Sequence, residues 1–209
     1  MNVIFDLDGT LVNSAPGILG ALGYVIKKHG IEGSATLTSD LIGPPLREML
    51  VSLCGTSNQE DLVLIEDTFK SYYDDVGVFQ STVYEGVTQM LDELKARGHK
   101  LFIATNKRAS PTKSLMKYFS WEKYFMGIYS LDSFPYPIKD KSALLDRIVE
   151  AHKLLKVETF YIGDRPEDGD SAKECNLNFI HAIWGFGGNP APYSEPTAKM
   201  PNEVMMYLM

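Results

Sequence analysis

The sequence predicts an α/β fold, a doubly wound parallel sheet that carries an inserted all-helical segment. Three observations support this prediction. Short apolar runs typical of buried strands recur along the chain, amphipathic helical patterns alternate with them, and one long stretch contains helical patterns alone. Alternation of strands with helices favours a parallel sheet that is covered by helices on both faces.

Four apolar runs predict the strands of the core. They lie at residues 3–5, 101–104, 160–162 and 179–183. Each run is nearly continuous in apolar residues, without the alternation expected when one face of a strand meets water. Such runs are typical of strands buried on both faces of a sheet.

Helical patterns lie between these runs. The first places apolar residues on one helical face, at Val87, Met90, Leu91 and Leu94. Gly98 then stands where that helix would stop. A second apolar stripe extends from Leu144 to Leu155, and a third helix is predicted from Pro166 to about Cys175.

One long stretch breaks the alternation of strands and helices. It contains three helical patterns, at residues 18–26, 46–53 and 62–72. The stretch is too long for an ordinary connection between a strand and a helix. We therefore predict a core made of residues 1–13 and 82–209, with an all-helical cap, or lid, at residues 14–81.

Composition and charge exclude several classes of protein. The formal net charge of −7 argues against a nucleic-acid surface and against binding to anionic membranes. No apolar run approaches the roughly 20 residues of a membrane span. The first residues do not resemble a secretory signal, so a cytoplasmic location is expected. Cys54 and Cys175 lie far apart and fit no metal-ligand spacing.

Two carboxylates follow the first predicted strand, in the segment Asp6-Leu7-Asp8-Gly9-Thr10. Ligands of doubly wound sheets bind outside the carboxyl ends of the strands. Neighbouring carboxylates repel each other when both are ionised, so they favour a bound cation or different protonation states. Gly9 allows a tight turn and a close approach of the backbone to a ligand. This segment is the strongest candidate for a functional site.

The same five residues resemble the first signature of the haloacid dehalogenase-like superfamily. That family places a Ser or Thr at the end of the next core strand, where Thr105 and Asn106 stand. It also places a lysine at the start of a later helix. Lys139 and Lys141 both qualify, and Lys141 is preferred because it directly precedes the predicted helix.

The acidic signature of the family corresponds to Gly163-Asp164, followed by Asp168. The resemblance implies a Mg²⁺ site at Asp6 and Asp164, together with the backbone carbonyl of Asp8. Asp168 is expected to hold a metal-bound water or Lys141. Mg²⁺ prefers oxygen ligands and keeps several waters, which agrees with so few carboxylates.

The resemblance extends over nearly the whole chain and is strongest for the phosphoglycolate phosphatase-like branch, which has a small helical cap. The segments that resemble this branch lie at residues 42–46, 84–87 and 184–188. It implies a Rossmann-like core that hydrolyses a small phosphorylated metabolite, as a monomer or a small homo-oligomer.

The catalytic residues implied by the resemblance are Asp6 as the nucleophile, Asp8 as the acid and base, Thr105 and Lys141. Residues implied to bind the substrate are Gly9, Thr10, Thr105, Asn106 and Lys141. Asp6 would be phosphorylated and the resulting aspartyl-phosphate hydrolysed, with the lid excluding bulk water.

Several alternatives stay open. A sugar-phosphate mutase similar to β-phosphoglucomutase, or a 5'-nucleotidase, would use the same catalytic core. A dehalogenase also uses an Asp at a strand end but needs neither a metal nor a second acid, so Asp8 argues against it. A phospho-accepting receiver module lacks a helical lid. Long-lived phosphorylation without turnover would indicate such a receiver or a catalytically silent interaction module.

Overall fold

The computed structural model describes residues 1–31, 36–55, 58–136, 138–187 and 196–208. Within these ranges the chain separates into two compact units. One consists of Met1–Asn13 and Val83–Met209, and the other of Ser14–Thr82. No helix in the described ranges combines the length and the apolar character that a membrane span requires.

A parallel sheet forms the centre of the first unit. In the described residues it has six strands: β1 (Asn2–Phe5), β4 (Lys100–Thr105), β5 (Gly127–Ser130), β6 (Thr159–Gly163), β7 (Asn178–Ala182) and β8 (Thr197–Ala198). Their order is β5-β4-β1-β6-β7-β8. The chain therefore builds outward from β1 in one direction and then in the other, as in a doubly wound sheet, which confirms the predicted fold class.

Four helices of this unit connect the strands: α4 (Val87–Ala96), α5 (Ala109–Tyr118), α6 (Lys141–His152) and α7 (Pro166–Glu174). Short 3-10 helices lie at Lys156–Glu158 and Pro201–Tyr207. The apolar stripe of α6 is buried, with Leu144, Leu145 and Ile148 packed against Ile4 and Phe102 of the sheet. This burial explains why the helical periodicity is clear in the sequence.

The central position of β1 follows from its register. Ile4 is paired with Phe102 on β4 and with Tyr161 on β6, and all three side chains are fully buried. Parallel pairing on both sides places the ends of β1, β4 and β6 at the same edge of the sheet. The residues that follow these strands must therefore meet there.

The four strands predicted from the sequence correspond to β1, β4, β6 and β7, whereas β5 and β8 of this sheet were not predicted. The residues of β5 are mostly only half-buried, so their sequence contains no continuous apolar run. The strand β8 has only two residues. Two further short strands, β2 (Val12–Asn13) and β3 (Thr82–Val83), form a separate two-stranded sheet.

The second unit is helical over most of its described residues. It contains α1 (Ala15–His29), α2 (Leu46–Cys54) and α3 (Gln59–Asp75), with 3-10 helices at Ser39–Leu41 and Gly77–Gln80. Leu22, Leu50 and Leu62 are buried in its core. Phe69 and Tyr73 of α3 stack with their ring centroids 5.4 Å apart.

Candidate active site

The turn after β1 presents Asp6 and Asp8. The backbone N–H of Asp6 donates to the carbonyl of Ile162 at 2.8 Å, which continues the pairing of β1 with β6. Gly9 then adopts a φ of +91°, and a Cβ atom there would lie 2.4 Å from Oδ2 of Asp164. Only glycine fits this turn, because both its backbone conformation and the space beside it exclude a side chain.

Lys141 lies at the centre of the site and is 8% exposed. Its Nζ donates to Oδ1 of Asp6 at 2.5 Å, to Oδ1 of Asp168 at 3.3 Å and to the hydroxyl of Tyr161 at 2.9 Å. Burial disfavours the charge on Lys141, but Asp6 and Asp168 outweigh it and raise the pKa of the ammonium above its usual value.

The other candidate lysine lies outside this cluster. The side chain of Lys139 is 91% exposed and pairs with Asp140 at 3.3 Å. Lys141 begins α6, one residue earlier than the sequence suggests, and the side chain of Asp140 caps the helix by accepting from the N–H of Ala143. The cap fixes the first turn of α6, which fixes Lys141.

Asp164 follows β6, and its carboxylate accepts three hydrogen bonds. Its Oδ2 accepts from the backbone N–H groups of Phe186 at 2.8 Å and Gly187 at 3.2 Å, and its Oδ1 accepts from the hydroxyl of Thr10 at 3.2 Å. Burial and then Asp168 raise the pKa of Asp164 to about 6, although the two N–H groups oppose the rise.

Two glycines pack directly on Asp164. A Cβ atom on Gly185 would lie 2.3 Å from the Cβ of Asp164, and one on Gly187 would lie 2.0 Å from its carbonyl oxygen. The next residue of the segment singled out in the sequence, Gly188, lies outside the described residues. The glycines at 185 and 187 therefore let the backbone approach Asp164 closely enough to donate to it.

Three buried carboxylates come together at this edge of the sheet. Among the described residues, Asp6, Asp164 and Asp168 form a group whose ligand atoms all lie within 4.8 Å of one another. Burial raises the pKa of Asp6 to about 8. The ammonium of Lys141 opposes this rise, and the charges of Asp168 and Asp164 add to it. Ionisation of all three is costly without a cation, and three hard oxygen donors fit a divalent ion such as Mg²⁺.

Both carboxylate oxygens of Asp168 accept hydrogen bonds, as both oxygens of Asp164 do. Its Oδ1 accepts from Lys141 and from the hydroxyl of Tyr161 at 2.8 Å, and its Oδ2 accepts from the N–H of Arg165 at 3.2 Å. These bonds agree with the expected contact between Asp168 and Lys141. Lys141 thus contacts Asp6 and Asp168, whereas the donors to Asp164 are Thr10 and two backbone N–H groups.

Thr105 is the last residue of β4, and Asn106 follows it at the same edge of the sheet. Thr105 is 1% exposed, and its Oγ1 accepts from the N–H of Lys107 at 3.1 Å. The hydroxyl of Thr10, which the family resemblance implies as a substrate contact, donates to Oδ1 of Asp164. Gly9 lies against the same carboxylate.

Sequence reasoning assigned no role to Lys107 or Tyr161. The Nζ of Lys107 lies 3.0 and 3.2 Å from the two carboxylate oxygens of Asp8. Because β4 pairs with β1, a lysine two residues beyond β4 could have been expected beside Asp8. Tyr161 is fully buried, and a buried phenol generally needs a hydrogen-bond partner, which was the available signal.

Comparisons with known proteins agree with this geometry. The sequence model of the haloacid dehalogenase-like hydrolase family matches residues 3–182. The chain is 26% identical over 189 residues to a 5'-nucleotidase of Pseudomonas aeruginosa, covering 89% of this chain and 84% of that protein. It is 27% identical over 204 residues to a phosphoglycolate phosphatase of Vibrio vulnificus, covering 93% and 89%.

A solved structure extends the likeness to the whole chain. A haloacid dehalogenase-like family hydrolase of Streptococcus pneumoniae is similar to this structure with a TM-score of 0.88 and 27% sequence identity. The match covers 100% of this chain and 98% of the other.

Proposed function

The chain belongs to the haloacid dehalogenase-like hydrolase family, and we propose that it is a Mg²⁺-dependent phosphatase that forms an aspartyl-phosphate on Asp6. The observation that carries this proposal is the arrangement of the two carboxylates after β1. Asp6 lies with Lys141 in the buried acidic group, whereas Asp8 pairs with Lys107. Two carboxylates in different surroundings suit two different tasks.

In the proposed reaction, a carboxylate oxygen of Asp6 attacks the phosphorus atom as the bond to the leaving alcohol oxygen breaks. Asp8 must carry a proton when the substrate binds. It donates this proton to that oxygen and then, as the carboxylate, removes a proton from a water molecule. The water oxygen attacks the aspartyl-phosphate, which releases phosphate and restores the carboxylate of Asp6. One residue serves as acid and then as base because it holds no proton after the first step.

Charge neutralisation is the second part of the proposal. Lys141 offsets the negative charge of Asp6 and of the phosphoryl group as charge moves between them. The hydroxyl of Thr105 and the backbone N–H groups beyond β4 would bind phosphoryl oxygens. Mg²⁺, held by Asp6, Asp164 and the carbonyl of Asp8, would supply further positive charge to the phosphoryl oxygens.

The local charge supports a divalent cation. The carboxylates of Asp6, Asp8, Asp164 and Asp168, when ionised, meet two ammonium groups in the described residues, those of Lys107 and Lys141. The guanidinium of Arg165 also acts on Asp164, so one negative charge is left over. A divalent ion offsets it and supplies positive charge for a phosphate dianion.

A small phosphomonoester is the proposed substrate class, with phosphoglycolate as the first member to test and a nucleoside monophosphate as the second. The similarity to a phosphoglycolate phosphatase supports the former and the similarity to a 5'-nucleotidase supports the latter. We further propose that residues 14–81 act as the lid that selects the leaving group and excludes bulk water.

The test is phosphate release from p-nitrophenyl phosphate and a panel of small phosphomonoesters, with Mg²⁺ or with EDTA. We expect release that requires Mg²⁺ and is absent from Asp6→Asn. Phosphate release by a clean Asp6→Asn preparation at the rate of the wild type would refute the role of Asp6 as the nucleophile. An isomerised sugar phosphate in place of free phosphate would identify a mutase.

A further inference from the structure

The proposed chemistry leaves the contact between Lys107 and Asp8 without a role. Its side chain is 4% exposed, and that of Asp8 is 12% exposed. The ammonium donates to both oxygens of the carboxylate, at 3.0 and 3.2 Å. An exposed ion pair contributes little to stability, and a buried ion pair is costly unless its geometry is good. The pair of Lys107 and Asp8 is buried and makes two hydrogen bonds, so it constrains both side chains.

The backbone that carries Lys107 is itself fixed. The N–H of Lys107 donates to Oγ1 of Thr105, which stands at the end of β4 and is buried. Since β4 pairs with β1 in parallel register, the start of the lysine side chain has a fixed position relative to the turn that carries Asp8. The ammonium can therefore hold the carboxylate in one orientation.

The contact also separates Asp8 from the other carboxylates. Asp6, Asp164 and Asp168 form the group of ligand atoms found in the described residues, and the carboxylate of Asp8 is not part of it although Asp8 is only two residues from Asp6. Lys141 contacts Asp6 and Asp168, and Lys107 contacts Asp8. The two lysines thus divide three of the four carboxylates into two sets, Asp6 with Asp168 and Asp8 alone.

From this division we infer that Lys107 is a positioning residue, which keeps the carboxylate of Asp8 directed at the leaving-group oxygen and out of the metal-binding group. The inference rests on the proposed phosphatase function. Without Lys107, the carboxylate of Asp8 can rotate toward a cation held by Asp6 and Asp164, where it no longer transfers a proton to the leaving group.

The decisive measurement compares two kinds of leaving group. An alkyl alcohol needs a proton as it departs, whereas p-nitrophenolate departs with little help. The ratio of kcat/KM for an alkyl phosphate to kcat/KM for p-nitrophenyl phosphate therefore reports the acid step. General acid catalysis contributes about 100-fold or more, so we expect Lys107→Met to lower this ratio at least about tenfold. Lys107→Arg, which can also donate to both oxygens, should recover most of it.

A double variant tests whether Lys107 acts through Asp8. In an Asp8→Asn background the acid step is already lost, so Lys107→Met should cause no further fall in the ratio. Lys117→Met removes an exposed lysine from α5 and should leave the ratio as in the wild type. Should Lys107→Met fail to fold, the ratio is measured for Lys107→Gln, which retains a hydrogen-bond donor without the charge.

Mn²⁺ binding, followed by the electron paramagnetic resonance of the free ion, supplies a readout apart from activity. We expect Lys107→Met to bind Mn²⁺ as tightly as the wild type or more tightly, because a negative carboxylate is released beside the acidic group. An unchanged leaving-group ratio, or weaker Mn²⁺ binding that parallels the loss of activity, would overturn the inference. Absence of Mg²⁺-dependent phosphate release from the wild type would instead overturn the proposed function.

Discussion

The Nζ of Lys141 and Oδ1 of Asp6 lie 2.5 Å apart, although 135 residues separate them in sequence. Both side chains are buried, and the ammonium also reaches Asp168 and Tyr161. The first residue of α6 is thereby bound to the end of β1. Four predictions follow from the surroundings of this pair.

Replacement of Lys141 by Met should reduce phosphate release by about 100- to 1000-fold, because the site loses the charge that stabilises the transferred phosphoryl group. It should also lower the free energy of unfolding by about 3–5 kcal/mol, since Asp6 would be left in a buried site without its partner. Steady-state kinetics and urea denaturation measure both effects. The matched variant is Lys139→Met, whose side chain is 91% exposed and which should change neither quantity. The reverse result would assign the catalytic role to Lys139.

Replacement of Tyr161 by Phe removes one hydroxyl that contacts both Asp168 and Lys141. We expect a loss of about 1–3 kcal/mol in the free energy of unfolding, because a buried carboxylate loses a donor. A fall in kcat should accompany it, since Lys141 loses a contact that orients it. Tyr129→Phe deletes a hydroxyl that contacts His152 at 2.7 Å, and it should affect stability alone. A normal kcat in Tyr161→Phe would show that this hydroxyl is only structural.

Replacement of Gly185 by Ala should disrupt the support of Asp164. The added methyl group would meet the Cβ of Asp164 and the carbonyl oxygen of Gly9, both at 2.3 Å. Such overpacking costs about 1–3 kcal/mol, and displacement of Asp164 should also weaken metal binding. Gly23→Ala in α1 is the control, because the nearest atom there is 3.6 Å away and alanine favours a helix. Equal Mn²⁺ affinity in Gly185→Ala and the wild type would contradict the prediction.

Addition of Mg²⁺ should raise the melting temperature, and the increase should be larger at pH 8 than at pH 5.5. The pKa values of Asp6 and Asp164 are raised to about 8 and about 6. The folded apoprotein therefore binds more protons than the unfolded chain between about pH 4 and 8, and these two groups lower its stability as the pH rises through that window. Bound Mg²⁺ offsets the charge that ionisation creates.

Differential scanning fluorimetry with EDTA as the reference measures the effect, and Asp164→Asn should greatly reduce it. A Mg²⁺ effect that shrinks toward pH 8 would contradict this account.

Much of the fold could be read from the sequence because its buried elements have simple periodicities. The family resemblance that rested on the segment 6–10 is confirmed by the match over residues 3–182. The strand β5 was missed because its residues are half-buried at the sheet edge, where no continuous apolar run is needed.

Side-chain partners within the site were harder to predict. The pairing of Lys107 with Asp8 depends on strand order, which the alternation of strands and helices does not specify. The contacts of Gly185 depend on where the chain passes after β7. The sequence shows that residue 185 is a glycine, but it does not show which atoms lie where a side chain at that position would be.

The position of β1 has a consequence for the synthesis of the protein. Its neighbours in the sheet arrive late, since Asn2 is paired with Lys100 and with Thr159, the latter 157 residues away. At about 5–20 residues per second, a ribosome needs roughly 8–30 s to make that intervening chain. The apolar segment Val3-Ile4-Phe5 has no partner strand until β4 is made, and it has only one until β6 is made. A nascent chain of this protein therefore carries a hydrophobic strand with at least one unpaired edge until β6 has been made, and such an edge favours aggregation.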